Sequence, residues 1–375
     1  MGGMEISTLN ENGNQTNGER SAQVNKKPHR ALWTVVFIAI AGLTVWAITA
    51  QNKNFSIKEF SAFLAESDPL WIVMAFLGTF GFIFFEGTAL LCICKALGYK
   101  RRTANGYIYS AADIYFSAIT PSATGGQPAS ALFMMRDGIP GSLVTVSLLL
   151  NLVMYTFAIL TLGVLGFILE PTAFIGFAFP CKLLIIVGIV ALAGLAAVFI
   201  TVLKKPSLLH CICDKLLCLL AKLKIVRKLE KRRKKLSDWI ESYHECAMAI
   251  NGKTSMLVKA FIFNLLQRSS LVLVTVFSFL AGGGSVSDVK GVFVRQIMVV
   301  LGSNCVPIPG AMGVADYLMF DAFSQIIEDP LAVVNLELLS RSISFYFCVI
   351  LCGVSIIVRL AHDKMKSSGA PSKKS

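Results

Sequence analysis

The chain has too little charge for a water-soluble protein. Asp, Glu, Lys and Arg make up 15% of its 375 residues, whereas a soluble domain carries about 25%. It also lacks a phosphate-binding loop and a nucleophile elbow, and no nucleic-acid-binding module is visible. No polar segment is long enough to fold as a separate catalytic domain. His210, Cys211, Cys213, Asp214 and Cys218 lie close together, but their spacing is not that of a tetrahedral zinc site. The ten cysteines fall mostly in apolar stretches or in one basic segment, not in a disulfide framework. They are expected to be reduced thiols packed as small hydrophobes. These absences leave no catalytic residue, metal or cofactor to assign.

Apolar length is what the chain has. Hydrophobic residues make up 55% of it and mean hydropathy is +0.68, which implies an all-α polytopic bundle with one membrane domain over 30–360. Runs long enough to span occupy 31–50, 70–94, 143–169, 174–203, 256–281 and 331–358. Residues 1–29 are polar and rich in Asn and Gly, an expected disordered cytoplasmic arm. The 31–50 run exceeds the apolar core of a signal peptide, so an uncleaved first span is expected. Residues 361–375 form the expected cytoplasmic tail.

Two further segments, 105–135 and 289–327, are apolar but broken by TPSATGGQP (120–128) and NCVPIPGAMGVAD (304–316). Lipid cannot satisfy irregular backbone, so such breaks belong in packed protein or against a wet cavity. One break in each half of a chain is also the best sequence pointer to a transport site. Lys and Arg placement decides whether these segments cross. The N-terminus, 95–102, 204–235 and the tail are basic; the loops at 51–69, 170–173, 282–288 and 328–330 carry few bases and several acids. All of this fits only if 105–135 enters and leaves on the cytoplasmic face and 289–327 on the outer face. The expectation is six spans, two re-entrant helix hairpins of opposite orientation resembling an inverted repeat, and both termini cytoplasmic.

Most of the net charge of +13 sits in one place. Residues 204–235 hold twelve Lys or Arg against Asp214 and Glu230. Leu208, Leu209, Ile212, Leu216, Leu219, Leu220 and Leu223 recur at helical spacing, so 204–255 reads as a basic amphipathic segment on the cytoplasmic leaflet. It either anchors a loop or recruits anionic lipid.

In the first broken segment, Gly125 and Gly126 allow tight backbone geometry between Pro121 and Pro128. A helix restarting near Ala129 would aim its positive end into the membrane, where it favours an anion such as phosphate. Thr120, Ser122, Thr124 and Gln127 add polar groups, and Asp113 lies on the preceding arm. The alternative is a hinge whose polar side chains only satisfy freed backbone. In the second, Pro307, Pro309, Gly310 and Gly313 precede Asp316 in the first turn of a new helix. Asp316 either stabilises its own helix end or serves as counter-charge to a cationic head group or a nearby arginine. Glu86 lies late in the second span, while Arg268 and Arg295 are read as flanking apolar runs. Glu337 and Arg341 are four apart and can pair. Arg341 is the candidate to grip a phosphate bidentately.

The strings ITPSATGGQPASALFMMRDGIP, VPIPGAMGVAD and RSISFYF resemble the transmembrane flippase domain of lysylphosphatidylglycerol synthases, in its stand-alone form. The resemblance covers about residues 30–360, with Asp316 where Glu is commoner. It implies a bacterial cell-membrane protein that moves a phospholipid, anionic or aminoacylated, between leaflets, with resistance to cationic peptides in some members. Full-length synthases add a cytosolic aminoacyl-transferase domain, and neither the 204–255 loop nor the tail has room for one. The alternatives are a membrane-embedded phosphatidylglycerol lysyltransferase-type enzyme and a docking partner of a separate lipid synthase. Expected partners are membrane lipids, with either a homo-oligomer or a synthase partner compatible, and no nucleic acid. Substrate contacts are expected from Asp113, Thr120, Thr124, Gly125, Gly126, Gln127, Pro307, Pro309, Gly310, Gly313, Asp316, Glu337 and Arg341.

Overall fold

In hydrocarbon a long apolar run has to be helical, because only then are its backbone groups satisfied within the segment. A computed structural model describes residues 57–120, 123–204, 248, 252–304, 306, 311 and 313–368. The first expected span, the N-terminal arm, nearly all of 205–251 and the end of the tail lie outside the described residues. So do Pro307, Pro309 and Gly310.

The described residues form helices with no strand: α1 Ile57–Glu66, α2 Pro69–Ala96, α3 Thr103–Ile119, α4 Gly126–Arg136, α5 Gly141–Leu169, α6 Pro171–Gly176, α7 Phe179–Lys204, α8 Thr254–Ala281, α9 Val289–Ser303, α10 Val314–Phe323, α11 Pro330–Arg341 and α12 Cys348–Ser368. Five of the stretches are long and apolar enough to cross: α2, α5, α7, α8, and α11 continuing into α12. They match the expected spans within the described residues. Two start alike, with Asp-Pro-Leu. Asp68 caps α2 by accepting from the Leu70 N–H at 2.9 Å, and Asp329 caps α11 by accepting from Leu331 N–H at 3.0 Å. Pro69 and Pro330 stand at the first helical position, where an N–H is not needed.

α3–α4 and α9–α10 are the two hairpins. The longest arm, α3, has 17 residues, about 26 Å at 1.5 Å per residue, and the hydrocarbon core is about 30 Å. No single arm crosses it. Their opposite orientation follows from the central helix pair. The Asp68 N–H bonds the Ala281 carbonyl at 3.0 Å, tying the start of α2 to the end of α8. At the other end Lys253 Nζ donates to the Ala96 carbonyl. α2 and α8 are therefore antiparallel. The first hairpin leaves from the end of α2 and the second from the end of α8, so they enter from opposite faces.

Each hairpin has its own core. Tyr109, Ala112, Phe133 and Met134 of the first pack with Ile83 and Leu90 of α2 and Cys348 and Cys352 of α12. Val294, Ile297, Leu318 and Phe323 of the second pack with Leu162 of α5, Ile185 of α7 and Val276 of α8. Close packing rests on small residues, as expected where lipid removes the hydrophobic drive between helices. A Cβ on Gly87 of α2 would run into the backbone of Gly106 of α3, and one on Gly188 of α7 into the Leu301 carbonyl of α9. Cys94, Cys181, Cys348 and Cys352 are buried free thiols, as their apolar settings suggested. Val187, Val190 and Val198 leave one side of α7 exposed and apolar, a lipid-facing surface.

The last span is not a plain helix. Between α11 and α12, residues Ser342–Phe347 form a π-helical turn directly after Arg341. Such a turn disturbs the regular bonding ladder, and the Ile343 carbonyl accepts from Thr79 Oγ1 of α2 at 3.2 Å. Phe347 then packs edge-on against Phe76 at 4.7 Å.

Gly87→Leu should lower the thermal midpoint of the detergent-purified protein sharply, since overpacking costs about 1–3 kcal/mol or more. Gly194→Leu should leave it unchanged, because nothing lies within 4 Å of a Cβ there. Equal midpoints for the two variants would contradict the α2–α3 contact.

Candidate functional site

A break in a buried helix frees donors and acceptors, and the first hairpin satisfies them from its own side chains. Thr120 Oγ1 donates to the Phe116 carbonyl at 2.6 Å and accepts from the Gly125 N–H at 2.9 Å. Ser117 Oγ donates to Asp113 Oδ1 at 3.3 Å. Gln127 Nε2 donates to Asp113 Oδ2 at 2.7 Å, across the two arms. A Cβ on Gly126 would strike both Ser117 Oγ and the Asp113 carboxylate, so glycine there lets the start of α4 close onto α3. The helix restarts at Gly126, three residues before the expected Ala129, because Pro128 sits in the first turn, where its missing N–H costs no bond. The positive end of α4 thus meets a carboxylate of the same hairpin, a favourable arrangement.

Asp113 is one of two adjacent carboxyl groups. Its side chain contacts that of Glu86 on α2. Both are buried. Glu86 Oε2 accepts from Ser110 Oγ and from Gln267 Nε2, each at 3.0 Å. The next residue, Arg268, interacts electrostatically with both carboxylates. Its guanidinium lies 4.0 Å over the Tyr155 ring and 5.3 Å from that of Phe82. Among the described residues its Nε has no hydrogen-bond acceptor although buried. A small cavity lined by Ile159, Leu162, Ile297 and Val300 opens beside it. Tyr155 donates to Asn304 Oδ1 at 3.0 Å, at the break of the second hairpin. Glu86 and Asp113, Arg268, Tyr155 and Asn304 therefore link one hairpin to the other.

The second hairpin repeats the scheme. Asp316 Oδ2 accepts from the Gly313 N–H at 2.8 Å, capping α10, while Oδ1 forms an ion pair with Arg341 Nε at 2.9 Å. Both sequence readings of Asp316, helix cap and counter-charge to an arginine, hold at once, one per oxygen. The expected Glu337–Arg341 pair gives way to Asp316–Arg341, because α10 brings its first turn against α11. Glu337 stays close enough to interact electrostatically with both. Arg341 also lies 5.5 Å from the Phe345 ring. Thr124 lies in the turn between α3 and α4.

Arg268 and Arg295 do not flank their runs. Arg268 is at the middle of α8, and Arg295 is buried in α9, paired with Glu170 at 2.8 Å. Gln267, Tyr155 and Asn304 were not singled out from sequence. Gln267-Arg268, a polar pair halfway along an apolar run, was the available signal. Asp137, at the end of α4, was also missed. Its carboxylate takes Tyr109 Oη and Arg359 Nη2, each at 2.6 Å, and also Asn105 Nδ2, while Arg101 Nη2 donates to its carbonyl at 2.6 Å. This knot ties the open end of the first hairpin to α12. Among the described residues no group of three or more His, Cys, Asp or Glu is arranged to hold a metal.

Among the described residues, five candidate spans, two opposed hairpins and polar clusters at their breaks define an all-α multi-pass membrane protein. The family model of the lysylphosphatidylglycerol synthase TM region matches residues 32–352, and the chain belongs to that family. It is also similar to a UPF0104 membrane protein of Pyrococcus horikoshii, 22% identical over 258 residues, which are 65% of this chain and 73% of the relative.

Asp316→Asn should keep the cap, since the amide oxygen can accept from Gly313, but lose the ion pair; Asp316→Ala should lose both. The alanine variant should then unfold with about 1 kcal/mol less stability than the asparagine variant. In a double-mutant cycle with Arg341→Gln, a coupling of at least about 1 kcal/mol is expected for the partly buried pair. Additive losses in chemical unfolding would contradict the pairing.

Proposed function

We propose that this protein translocates a phospholipid with a cationic or zwitterionic head group, of the aminoacyl-phosphatidylglycerol kind, between membrane leaflets. The observation that carries the reading is the polar chain from Glu86 and Asp113 through Arg268 and Tyr155 to Asn304. It joins two hairpins that enter from opposite faces. Ionisable groups inside a membrane are costly and mark pathways.

In this reading Arg268 and Arg341 receive the lipid phosphate, since guanidinium matches phosphate geometry. The carboxylates of Glu86 and Asp113, and of Asp316 and Glu337, receive the ammonium. The broken-helix ends shape the site instead of binding phosphate themselves, because Asp113 and Asp316 already stand at them. Lipid would arrive laterally, and the polar chain would stand in for water as the head group crosses. The face carrying Lys95, Lys100, Arg101 and Arg359 would be cytoplasmic by the positive-inside rule.

The test is leaflet labelling. A membrane-impermeant amine reagent is applied to cells with the gene, without it, and with Arg268→Gln. Loss of the gene should move an amino-lipid away from the outer leaflet, and Arg268→Gln, expressed at normal level, should behave like the deletion. An unchanged distribution for every major lipid class would sink the proposal.

A further inference from the structure

One strongly charged groove lies away from the membrane-centre clusters. It is formed at a membrane-surface end of the bundle by the last turns of α2, the connection to α3 and the first turns of α8, and encloses about 740 Å³. That is room for a small-molecule ligand or a lipid head group. Lys95, Lys100, Arg101, Lys253 and Lys259 line it, and among the described residues lining it there is no Asp or Glu. Arg101 and Lys253 are anchored by backbone carbonyls, Asp137 and Ala96 respectively, so their charges are held in place. No ion pair among the described residues reaches Lys95, Lys100 or Lys259.

Like charges gathered in a groove repel one another unless an anion enters. The surroundings add to the positive field. α3 and α8 both begin at the groove, and neither Arg102 nor Lys253 at their caps supplies a side-chain acceptor. The first-turn N–H groups and the dipoles of α3 and α8 therefore act in the same sense as the lysines, while at the opposing C-terminal end of α2 the Ala96 carbonyl is engaged by Lys253. Thr103 and Ser255 contribute hydroxyls, while Leu91 and Met256 give an apolar floor.

We infer that this groove binds a phosphate group, presented either by an anionic phospholipid at head-group level or by a soluble phosphate compound. The apolar floor suits the lipid; the cations suit both. The site is separate from the translocation reading and is tested by equilibrium binding, so either can fail alone.

The full chain, purified in a neutral detergent, is titrated with dioleoyl-phosphatidylglycerol, with dioleoyl-phosphatidylcholine and with inorganic phosphate. Binding is read by native mass spectrometry for the lipids and by thermal shift for phosphate. Lys95→Gln with Lys259→Gln should weaken binding about tenfold or more. Lys95→Arg with Lys259→Arg should stay near wild type, as should Lys290→Gln, an exposed lysine on α9 at the opposite membrane face. Preference for phosphatidylglycerol without phosphate binding assigns the site to lipid, and binding of phosphate alone assigns it to a soluble ligand. Equal retention of both lipids with no phosphate shift would overturn the inference. Undiminished binding in the glutamine variant would do the same, and the arginine variant separates loss of charge from loss of fold.

Discussion

A helix interrupted inside hydrocarbon has to find every missing hydrogen-bond partner within the protein, and much of this structure follows from that constraint. Thr120 serves both sides of the first break, and Asp316 caps the helix after the second. Thr79 meets the carbonyl of the π-helical turn. Two of the groups used, Asp113 and Asp316, are acids that stabilise positive helix ends. An acid in that setting then requires a cation, and Arg268 and Arg341 are the ones supplied. The charge clusters at the membrane centre are thus a consequence of how the breaks are closed.

That logic gives the two halves a common plan. Each has a span and a hairpin inserted from the face where that span ends, and two carboxyl groups meet one guanidinium at each hairpin, Arg268 of α8 at the first and Arg341 of α11 at the second. Because α2 and α8 run antiparallel, the two units are inverted relative to each other. Each hairpin has a separate apolar core, and polar side chains link the two. Tyr155 makes the link, stacked under Arg268 and bonded to Asn304.

Several features are legible in the sequence itself. Span lengths, the two breaks and the opposed hairpins agree with the described helices. Asp316 in the first turn of a new helix could be read from Gly313 and the residues after it. Less legible were the contacts between elements. Spacing of four pointed Arg341 to Glu337, yet its ion pair is with Asp316, 25 residues earlier, because α10 packs its first turn onto α11. Arg268 looked peripheral when counted against a run of apolar letters; in the helix it stands midway. Asp137 carried no signal in the sequence, and only the fold brings Tyr109, Asn105 and Arg359 around it. The close approach of Gly126 to Ser117 and Asp113 was likewise decided by how α4 folds back onto α3.

By itself the sequence determined where the chain is helical, where it breaks and which segments can cross. Those outcomes rest on local physics: apolar length against membrane thickness, and the backbone limits of proline and glycine. Tertiary structure alone decided which charges meet. Glu86 with Gln267, Asp113 with Gln127 and Arg341 with Asp316 each join separate helices or hairpin arms. Their meeting depends on how each helix is rotated and how closely it packs, as at Gly87 against Gly106. A shift of a fraction of a turn would part them, and no local pattern in the chain records that rotation.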